Sequence, residues 1–314
     1  MDAKITKQRL SNLFAYDWLK MLVVIAVAVL GIVLIFTMAA DRPTNAQTFA
    51  VYGYTDVRVG VDNSRLTEKL DNGVFSYDIR QTTAESFYGN QYSGATYTAR
   101  RSAGEGTVMF MSSLDGEFKQ SPTSALYSMT HEGIYDGKSS YGGFYDVQYF
   151  LEEEVASYLR EFYGEELAAA QPDGAKVRAR FLERNSKDNR FRSAANKEKG
   201  VLSETERLNK LRDDYFKVKE AFANGKLFYT ALDNESGESV LFGWGETRPE
   251  NTFVPSVSMS ALADISKLYY VPDAEGKITT DSLNLVIFHN SAGNAYDLCY
   301  EAVSFLDFLV GNYA

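Results

Sequence analysis

Few side chains in this sequence have the type and spacing that bond chemistry requires. It contains two histidines, His131 and His289, which are too few for a metal site built from several imidazoles. His289 follows the apolar residues 285–288, a position typical of a structural histidine. The single cysteine, Cys299, lies in an apolar pattern and predicts a small buried side chain without an intramolecular disulfide. We therefore expect no metal, no cofactor and no catalytic residue.

The motifs of nucleotide-binding loops and of common hydrolases are also absent from the sequence. It contains no G-x-x-x-x-G-K-[ST], G-x-G-x-x-G, H-E-x-x-H, G-x-S-x-G or C-x-x-C. Its 42 Asp and Glu residues leave open a pair of carboxylates that hydrolyses glycosides. That chemistry depends on a separation in space, which spacing along the chain does not give. An anchored cell-wall hydrolase therefore remains a third hypothesis, behind two non-enzymatic ones.

Aromatic and small polar side chains recur where predicted strands end. Tyr54, Ser112 and Trp244 each lie at or just after the end of an apolar run. In open α/β sheets, ligands bind in the crevice outside the carboxyl ends of the strands. These three residues are therefore the predicted ligand contacts, and they suit a sugar, a peptide or another small solute. Ordinary packing is the alternative for each of them.

The elements that must position these residues begin with a strand at residues 49–56. An amphipathic helix at 64–70 follows, ended by Asn72 and Gly73, and the alternation of apolar and polar residues predicts a second strand at 74–80. A further apolar run at 107–111 predicts a third strand. Strands separated by helix-like segments are typical of βαβ units with a parallel sheet.

The middle of the chain reads as helical. Residues 112–145 are rich in Ser, Gly and Tyr and predict an irregular loop, and a helix begins near Asp146. A capping box at residues 203–206 predicts the start of another helix. The apolar face of that helix contains Leu208, Leu211, Tyr215, Val218 and Phe222.

Strand patterns return after this helical region. Residues 227–232, 239–244 and 281–288 predict strands, and residues 257–268 predict a short helix. An amphipathic helix at residues 296–310 closes the chain. The predicted fold class is therefore α/β with a helix-rich middle segment.

The charge of the chain restricts its partners. The formal net charge is −10 over 314 residues, and residues 41–314 carry −12. This acidic balance argues against a nucleic-acid partner, because phosphate binding needs a basic face. Residues 176–219, the basic segment, nevertheless contain 14 Lys or Arg and 7 Asp or Glu, a net charge of +7. The segment predicts either a solvated helical pair or a face for an anionic partner.

Residues 21–40 form an uncharged apolar run. A helix of ~20 such residues crosses a ~30 Å hydrocarbon core, and Trp18 suits the headgroup layer. Four basic residues precede the run, which predicts a cytoplasmic N-terminus and an extracytoplasmic C-terminal domain. The run is longer than the core of a typical signal peptide, so we expect an uncleaved signal anchor, with a cleaved signal as the alternative.

The order of the elements resembles that of the type II extracytoplasmic solute-binding proteins of bacterial ABC transporters. Residues 104–110, GEGTVMF, resemble the strand-forming stretch that precedes a lobe crossing in that family. The resemblance covers most of residues 49–314 and implies a two-lobed α/β domain that closes on a small solute. Members of that family are usually lipid-anchored or free in the periplasm, whereas this chain has an apolar helix.

The predicted organisation has six parts. These are a cytoplasmic N-terminus (1–20), a transmembrane helix (21–40), a linker (41–48), the first part of an α/β lobe (49–145), a helical segment or second lobe (146–226) and a return to the α/β lobe (227–314). The first hypothesis is a single-pass protein of the bacterial plasma membrane that binds a small solute beside a transporter permease and catalyses no reaction. The second is a structural or interaction protein of the cell envelope that binds a partner through the basic segment.

Overall fold

The protein is described by a computed structural model. It describes residues 7–8, 11, 18–39, 43–54, 57–61, 63–87, 92–113, 124–131, 143–167, 171–186, 188–272, 276–289, 292 and 296–314. The chain divides into two compact units, Met1–Arg42 and Pro43–Ala314.

The first unit contains helix α1, Trp18–Ala39. Many of its apolar side chains, among them Leu22, Ile25 and Phe36, are exposed. The stretch Trp18–Thr37 is long and apolar enough to cross a membrane, and none of it is buried by protein. Length and composition also fit a signal sequence near the N-terminus. The predicted apolar N-terminal helix is therefore confirmed.

The second unit is built on a mixed sheet. Its strands are β1 Thr48–Tyr54, β2 Arg58–Val59, β3 Gln81–Phe87, β4 Val108–Ser112, β5 Phe228–Asp233, β6 Ser239–Phe242, β7 Thr252–Ser258, β8 Tyr269–Pro272, β9 Ile278–Thr279 and β10 Leu283–Ile287. Among the described residues, seven strands form one sheet in the order β3-β1-β4-β10-β7-β5-β6, and β2-β8-β9 form a smaller one. Strand β1 is parallel to β3 and β4, whereas the other neighbours in the large sheet are antiparallel. The predicted α/β class is confirmed.

The remaining helices are α2 Asn63–Asp71, α3 Ser93–Ser102, α4 Ala125–Thr130, α5 Val147–Tyr149, α6 Val155–Tyr163, α7 Gly174–Arg184, α8 Ala194–Ala223 and α9 Glu301–Tyr313. A π-helical turn, Phe150–Glu154, joins α5 to α6. Short 3-10 turns lie at Asn45–Gln47, Asn189–Phe191, Ile265–Lys267 and Leu298–Tyr300. Side chains at the N-termini of α5, α7 and α8 accept backbone N–H bonds; they belong to Asp146, Asp173 and Ser193.

Two hydrophobic clusters cover the two sides of the large sheet, because neighbouring residues of a strand point to opposite faces. Phe49 and Val51 of β1 belong to the larger cluster, whereas Ala50 and Tyr52 belong to the smaller one. The larger cluster also contains side chains from the middle and C-terminal helices, for example Leu159, Leu208 and Phe305. The helix-rich middle segment therefore shares a core with the strands.

Residues 74–80, which the alternating pattern predicts as a strand, form turns instead. The backbone N–H of Ile79 donates to the carbonyl of Ser76 at 3.1 Å. Asp78 is buried and accepts hydrogen bonds from Arg184 at 2.7 Å and Arg190 at 3.0 Å. The strand predicted at residues 74–80 is therefore wrong, and β3 begins only at Gln81.

The capping box predicted at residues 203–206 does not begin a helix. Helix α8 already starts at Ala194, where the Ser193 hydroxyl accepts the N–H of Asn196 at 3.1 Å. Gly200 lies inside this helix. A Cβ at this position would come within 2.1 Å of the Phe181 ring, which explains why the residue is glycine. Glu204, which lies between Ser203 and Glu206 of that pattern, is buried in ion pairs with Arg184 and Arg207.

The short helix predicted at residues 257–268 is also wrong. Val257 and Ser258 end β7, and within the rest of this described stretch the helical element is the 3-10 turn Ile265–Lys267. The sequence pattern misses β7 because Pro255 lies within it, and proline is found in sheets mostly at edges or bulges. The pairing of β5 with β7 shifts register between Thr230 and Leu232, opposite the proline. The irregularity accommodates a residue without an N–H.

Candidate functional site

Two of the predicted ligand contacts end neighbouring strands. Tyr54 ends β1 half-buried, with its ring centroid 5.6 Å from that of Tyr97 on α3. Ser112 ends β4 and is 1% exposed, with its hydroxyl oxygen 3.3 Å from that of Ser282. The parallel register sets Gly53 opposite Phe110, so the two strands end side by side.

The third predicted contact, Trp244, follows β6 at the other side of the sheet. Its ring centroid lies 5.5 Å from that of Phe222 and 5.7 Å from that of Tyr215. Strands β10, β7 and β5 separate β4 from β6. The structure therefore does not bring Trp244 together with Tyr54 or Ser112.

A pocket of about 400 Å³ lies over β1 and β3. This volume is within the range that small-molecule sites occupy. Its walls include Thr48, Ala50, Tyr52, Gln81, Thr83, Glu85, Arg100, Glu105 and Gly106. The pocket extends over one sheet face from the first residues of both strands, whereas Tyr54 lies at their carboxyl end.

The register of the two strands explains why these side chains meet. Ala50 lies opposite Thr83, and Tyr52 lies opposite Glu85, in a parallel pair without a shift. Because residues two apart along a strand point to the same face, both strands contribute alternate side chains to one wall. The opposite wall comes from the end of α3 and the turn that leads into β4.

Three charged side chains meet at the pocket. The Nη1 atom of Arg100 lies 2.8 Å from Oε2 of Glu105, and its Nη2 atom lies 3.3 Å from Oε2 of Glu85. The hydrogen bond with Glu105 raises the pKa of Arg100 above its ordinary value. The three side chains together carry a formal net charge of −1.

The turn after α3 is held by the neighbouring arginine. Arg101 is buried, and its guanidinium donates to the backbone carbonyls of Gly106 at 3.3 Å and His289 at 3.1 Å. The same guanidinium lies 3.8 Å from the centroid of the Phe288 ring. These contacts fix the backbone that presents Glu105 to the pocket.

Gly106 allows the close packing of this turn. Its φ is +98°, a conformation that side-chain-bearing residues rarely adopt, and a Cβ there would lie 2.8 Å from the Tyr52 ring. Burial, and then the negative charge of Glu105, raise the pKa of the Tyr52 hydroxyl. Tyr52 is therefore a neutral phenol in the wall of the pocket.

Sequence reasoning about strand ends misses this pocket. Its polar residues lie along the strands, and Glu85 and Arg100 come from a segment whose residues mix without a clear period. The available signal was Glu105 between two glycines, Gly104 and Gly106. Glycines that flank a charged residue before a strand are typical of a tight turn that presents the charge.

Chemically, the pocket can hold a small polar molecule by hydrogen bonds and charge. Hydroxyl and amide side chains of Thr48, Thr83 and Gln81 supply donors and acceptors, and Glu85 and Glu105 supply anionic oxygens. Within the described residues, no three His, Cys, Asp or Glu side chains are grouped closely enough to hold a metal ion.

Several cations of the basic segment are not available to a partner. Arg184 pairs with Asp78 at 2.7 Å, and its side chain is 2% exposed. Arg207, with a fully buried side chain, pairs with Glu301 at 3.1 Å. Part of the positive charge of residues 176–219 therefore neutralises carboxylates elsewhere in the same unit.

No protein-family model, curated protein or solved structure shows a significant match to the chain.

Proposed function

We propose that the chain is an extracytoplasmic binding protein, anchored in a plasma membrane by α1, that takes a small polar solute into the pocket over β1 and β3. It catalyses no reaction and acts beside a transporter permease of a bacterial cell envelope. The observation that carries the proposal is the pocket itself. It combines a volume of about 400 Å³ with Glu85, Arg100 and Glu105 converging at its wall.

The placement outside the cell rests on charge. Lys4, Lys7, Arg9 and Lys20 precede the apolar helix, and positive charge stays on the cytoplasmic side of a membrane. A pocket in residues 43–314 then faces the solutes outside the membrane. The order of elements along the sequence, which resembles that of solute-binding proteins, is the reason for the assignment beside a transporter permease.

The proposal differs from the expected mode of binding in one respect. Two closing lobes would hold a ligand in a cleft between them, with Tyr54, Ser112 and Trp244 as contacts. In the proposal the ligand occupies one face of the sheet within the compact unit Pro43–Ala314. Lobe closure is not required for binding there.

An envelope interaction protein is the second candidate. It requires exposed cations on the basic segment. Arg178 and Lys219 are exposed, although Arg178 pairs with Glu198 and Lys219 lies over the Trp244 ring. The ion pairs of Arg184 and Arg207 reduce the charge that such a partner would meet. An anchored hydrolase is weaker still, because both carboxylates of the pocket are paired with one guanidinium.

A thermal unfolding screen of the full chain in phosphatidylcholine nanodiscs tests the proposal. Ligands would include amino acids, amines, sugars, short peptides and nucleosides. Ligand at ~100 Kd adds ~2.7 kcal/mol to the free energy of unfolding, so one chemical class should raise the unfolding temperature.

A pocket-filling variant, Thr83→Phe, should abolish that shift, whereas Ser239→Phe on the exposed edge strand β6 should keep it. Absence of a shift with every class would contradict the proposal and favour the interaction protein.

A further inference from the structure

The ion pairs at the pocket have an uneven geometry. One guanidinium, that of Arg100, is shared by the carboxylates of Glu85 and Glu105, one on each terminal nitrogen. The Arg100 side chain is 45% exposed, whereas the side chains of Glu85 and Glu105 are 36% and 23% exposed. Of the three, the arginine is held least by the protein around it.

The fold fixes the backbone of the two acidic residues. Glu85 lies in the interior of β3, opposite Tyr52 of β1. Glu105 lies in the turn after α3. The backbone carbonyls of Glu105 and Gly106 both accept hydrogen bonds from the buried Arg101. Arg100 is attached through a long flexible side chain to the last turn of α3. Its guanidinium can therefore move away while the backbone of Glu85 and Glu105 stays in place.

The backbone adds to the negative character of this site. Helix α3 ends at Ser102, and the last carbonyls of a helix carry a partial negative charge. One of the neighbouring carbonyls, that of Ala103, accepts a hydrogen bond at 3.0 Å from Asn45, another residue of the pocket. Without the Arg100 guanidinium, the pocket would contain two anionic side chains and no cation among its described lining residues.

We propose that the pocket selects a small organic cation, with an ammonium or guanidinium group, and that the Arg100 guanidinium occupies the cation position until the ligand displaces it. This inference rests on the proposed function, since it specifies the class of solute that the pocket takes. The ligand cation contacts Glu85 and Glu105. Neutral groups of the ligand contact Thr83 and Gln81 on the sheet.

In this proposal, Arg100 competes with the ligand cation for the two carboxylates. Removal of the Arg100 side chain should therefore strengthen the binding of a cation. Exposed ion pairs contribute ~0.2–1 kcal/mol each, so removal of two of them should tighten the binding of a cation by about two- to thirtyfold. A solute that carries a carboxylate or phosphate and uses Arg100 as its contact would respond in the opposite way, because its main cationic partner would be lost.

Isothermal titration of the full chain in phosphatidylcholine nanodiscs tests the inference with four probes: putrescine, L-arginine, L-glutamate and glucose. Putrescine should bind the native chain, and Arg100→Ala should lower its Kd by about two- to thirtyfold. Glu105→Gln should raise the Kd at least tenfold. Arg178→Ala should leave it unchanged, because that arginine is similarly exposed, at 47%, and pairs with Glu198 rather than with a pocket residue.

The results of these titrations distinguish a failure of the cation inference from a failure of the proposed solute binding. If L-glutamate or glucose binds instead of putrescine, and Thr83→Phe abolishes that binding, the pocket takes solutes but the cation inference is wrong. Weaker putrescine binding by Arg100→Ala, at an unchanged unfolding temperature, would overturn the displacement step. Binding of none of the four probes to either the native chain or Arg100→Ala would overturn the inference and count against the solute pocket itself.

Discussion

The guanidinium of Arg207 and the carboxylate of Glu301 form a buried ion pair, with Nη1 3.1 Å from Oε1 and both side chains at most 1% exposed. The pair joins the middle of α8 to the first residue of α9. The same guanidinium bonds the carboxylate of Glu204 and the hydroxyl of Tyr158 on α6. Three helices are therefore tied at one charged point inside the larger core cluster.

Loss of this arginine should be strongly destabilising. Arg207→Ala leaves Glu204 and Glu301 buried, with fewer partners, and removal of one member of a buried pair costs about 3–5 kcal/mol. Chemical unfolding of the full chain in detergent micelles measures this loss. Arg178→Ala, which breaks an exposed pair with Glu198, should cost at most about 1 kcal/mol. Equal effects of the two changes would contradict this account of the network.

The network should also make stability depend on acid pH through Glu204. Burial by itself would raise the pKa of Glu204, but Arg207 and Arg184 outweigh it and lower the pKa to about 2. An unfolded glutamate has a pKa of about 4.3. The stabilisation is therefore complete above that value and is lost as the pH falls from about 4.3 toward 2.

By pH 3 this single group should account for a loss of roughly 2 kcal/mol. Urea unfolding of the native chain and of Glu204→Gln between pH 6 and pH 3 isolates it. The native chain should lose about 2 kcal/mol more than the variant over that range. Parallel pH profiles would show that Glu204 is not the titrating group.

Two helical glycines should respond in opposite directions to the same substitution. A Cβ at Gly200 of α8 would lie 2.1 Å from the Phe181 ring, so Gly200→Ala should destabilise the protein by about 1–3 kcal/mol. Gly311 of α9 has no atom within 4 Å of its added Cβ, so Gly311→Ala should stabilise by about 0.5–1 kcal/mol. Thermal unfolding of the two variants gives the comparison. Stabilisation by both would mean that α7 does not pack closely on α8.

Trp244 should matter for stability and not for ligand binding. Its ring packs on those of Phe222 and Tyr215 and is half-buried. Trp244→Ala should therefore cost about 2–3 kcal/mol, below the range for a fully buried tryptophan. Titration calorimetry with the solute that gives a thermal shift should find an unchanged Kd. Lost affinity with unchanged stability would indicate that the ligand contacts Trp244, as the sequence predicts, and not the pocket over β1 and β3.

The proposed orientation of the chain can be tested with two cysteines. Cys299 is buried, and burial raises the pKa of its thiol to about 12, so it should not react with maleimide in the folded protein. A membrane-impermeant maleimide applied to intact cells should label Ser239→Cys. It should label Ser11→Cys only after the cells are permeabilised. The reverse pattern would contradict the cytoplasmic N-terminus.

Alkaline extraction of the same membranes tests the anchor itself. The full chain should remain in the membrane fraction, because a helix of ~20 apolar residues is not removed by high pH. Release into the medium of a fragment that lacks the apolar helix would identify this helix as a cleaved signal.

The sequence predicts much of the fold because hydrophobic periodicity follows local geometry. Runs of β-branched and aromatic residues mark β1, β5 and β10, and the apolar face of α8 follows the helical period. The predictions fail where a tertiary contact overrides the local pattern. Asp78 pairs with Arg184 and Arg190 in a segment of turns where the alternating pattern predicts a strand. Pro255 lies within β7, which the sequence pattern therefore does not predict.

The candidate site is harder to predict for a related reason. Tyr54, Ser112 and Trp244 follow a rule about strand ends, but the order of the strands, which places three of them between β4 and β6, depends on long-range pairing. The meeting of Glu85, Arg100 and Glu105 likewise requires the parallel register of β1 with β3. Sequence spacing contains neither of these facts.

Hydrogen exchange of the full chain in nanodiscs, with and without the solute that raises its unfolding temperature, tests the central claim most directly. The account predicts slower exchange in peptides that cover residues 81–87 and 100–106, the two walls of the pocket, and no change around residues 239–245. Slower exchange confined to residues 239–245, near Trp244, would contradict the account.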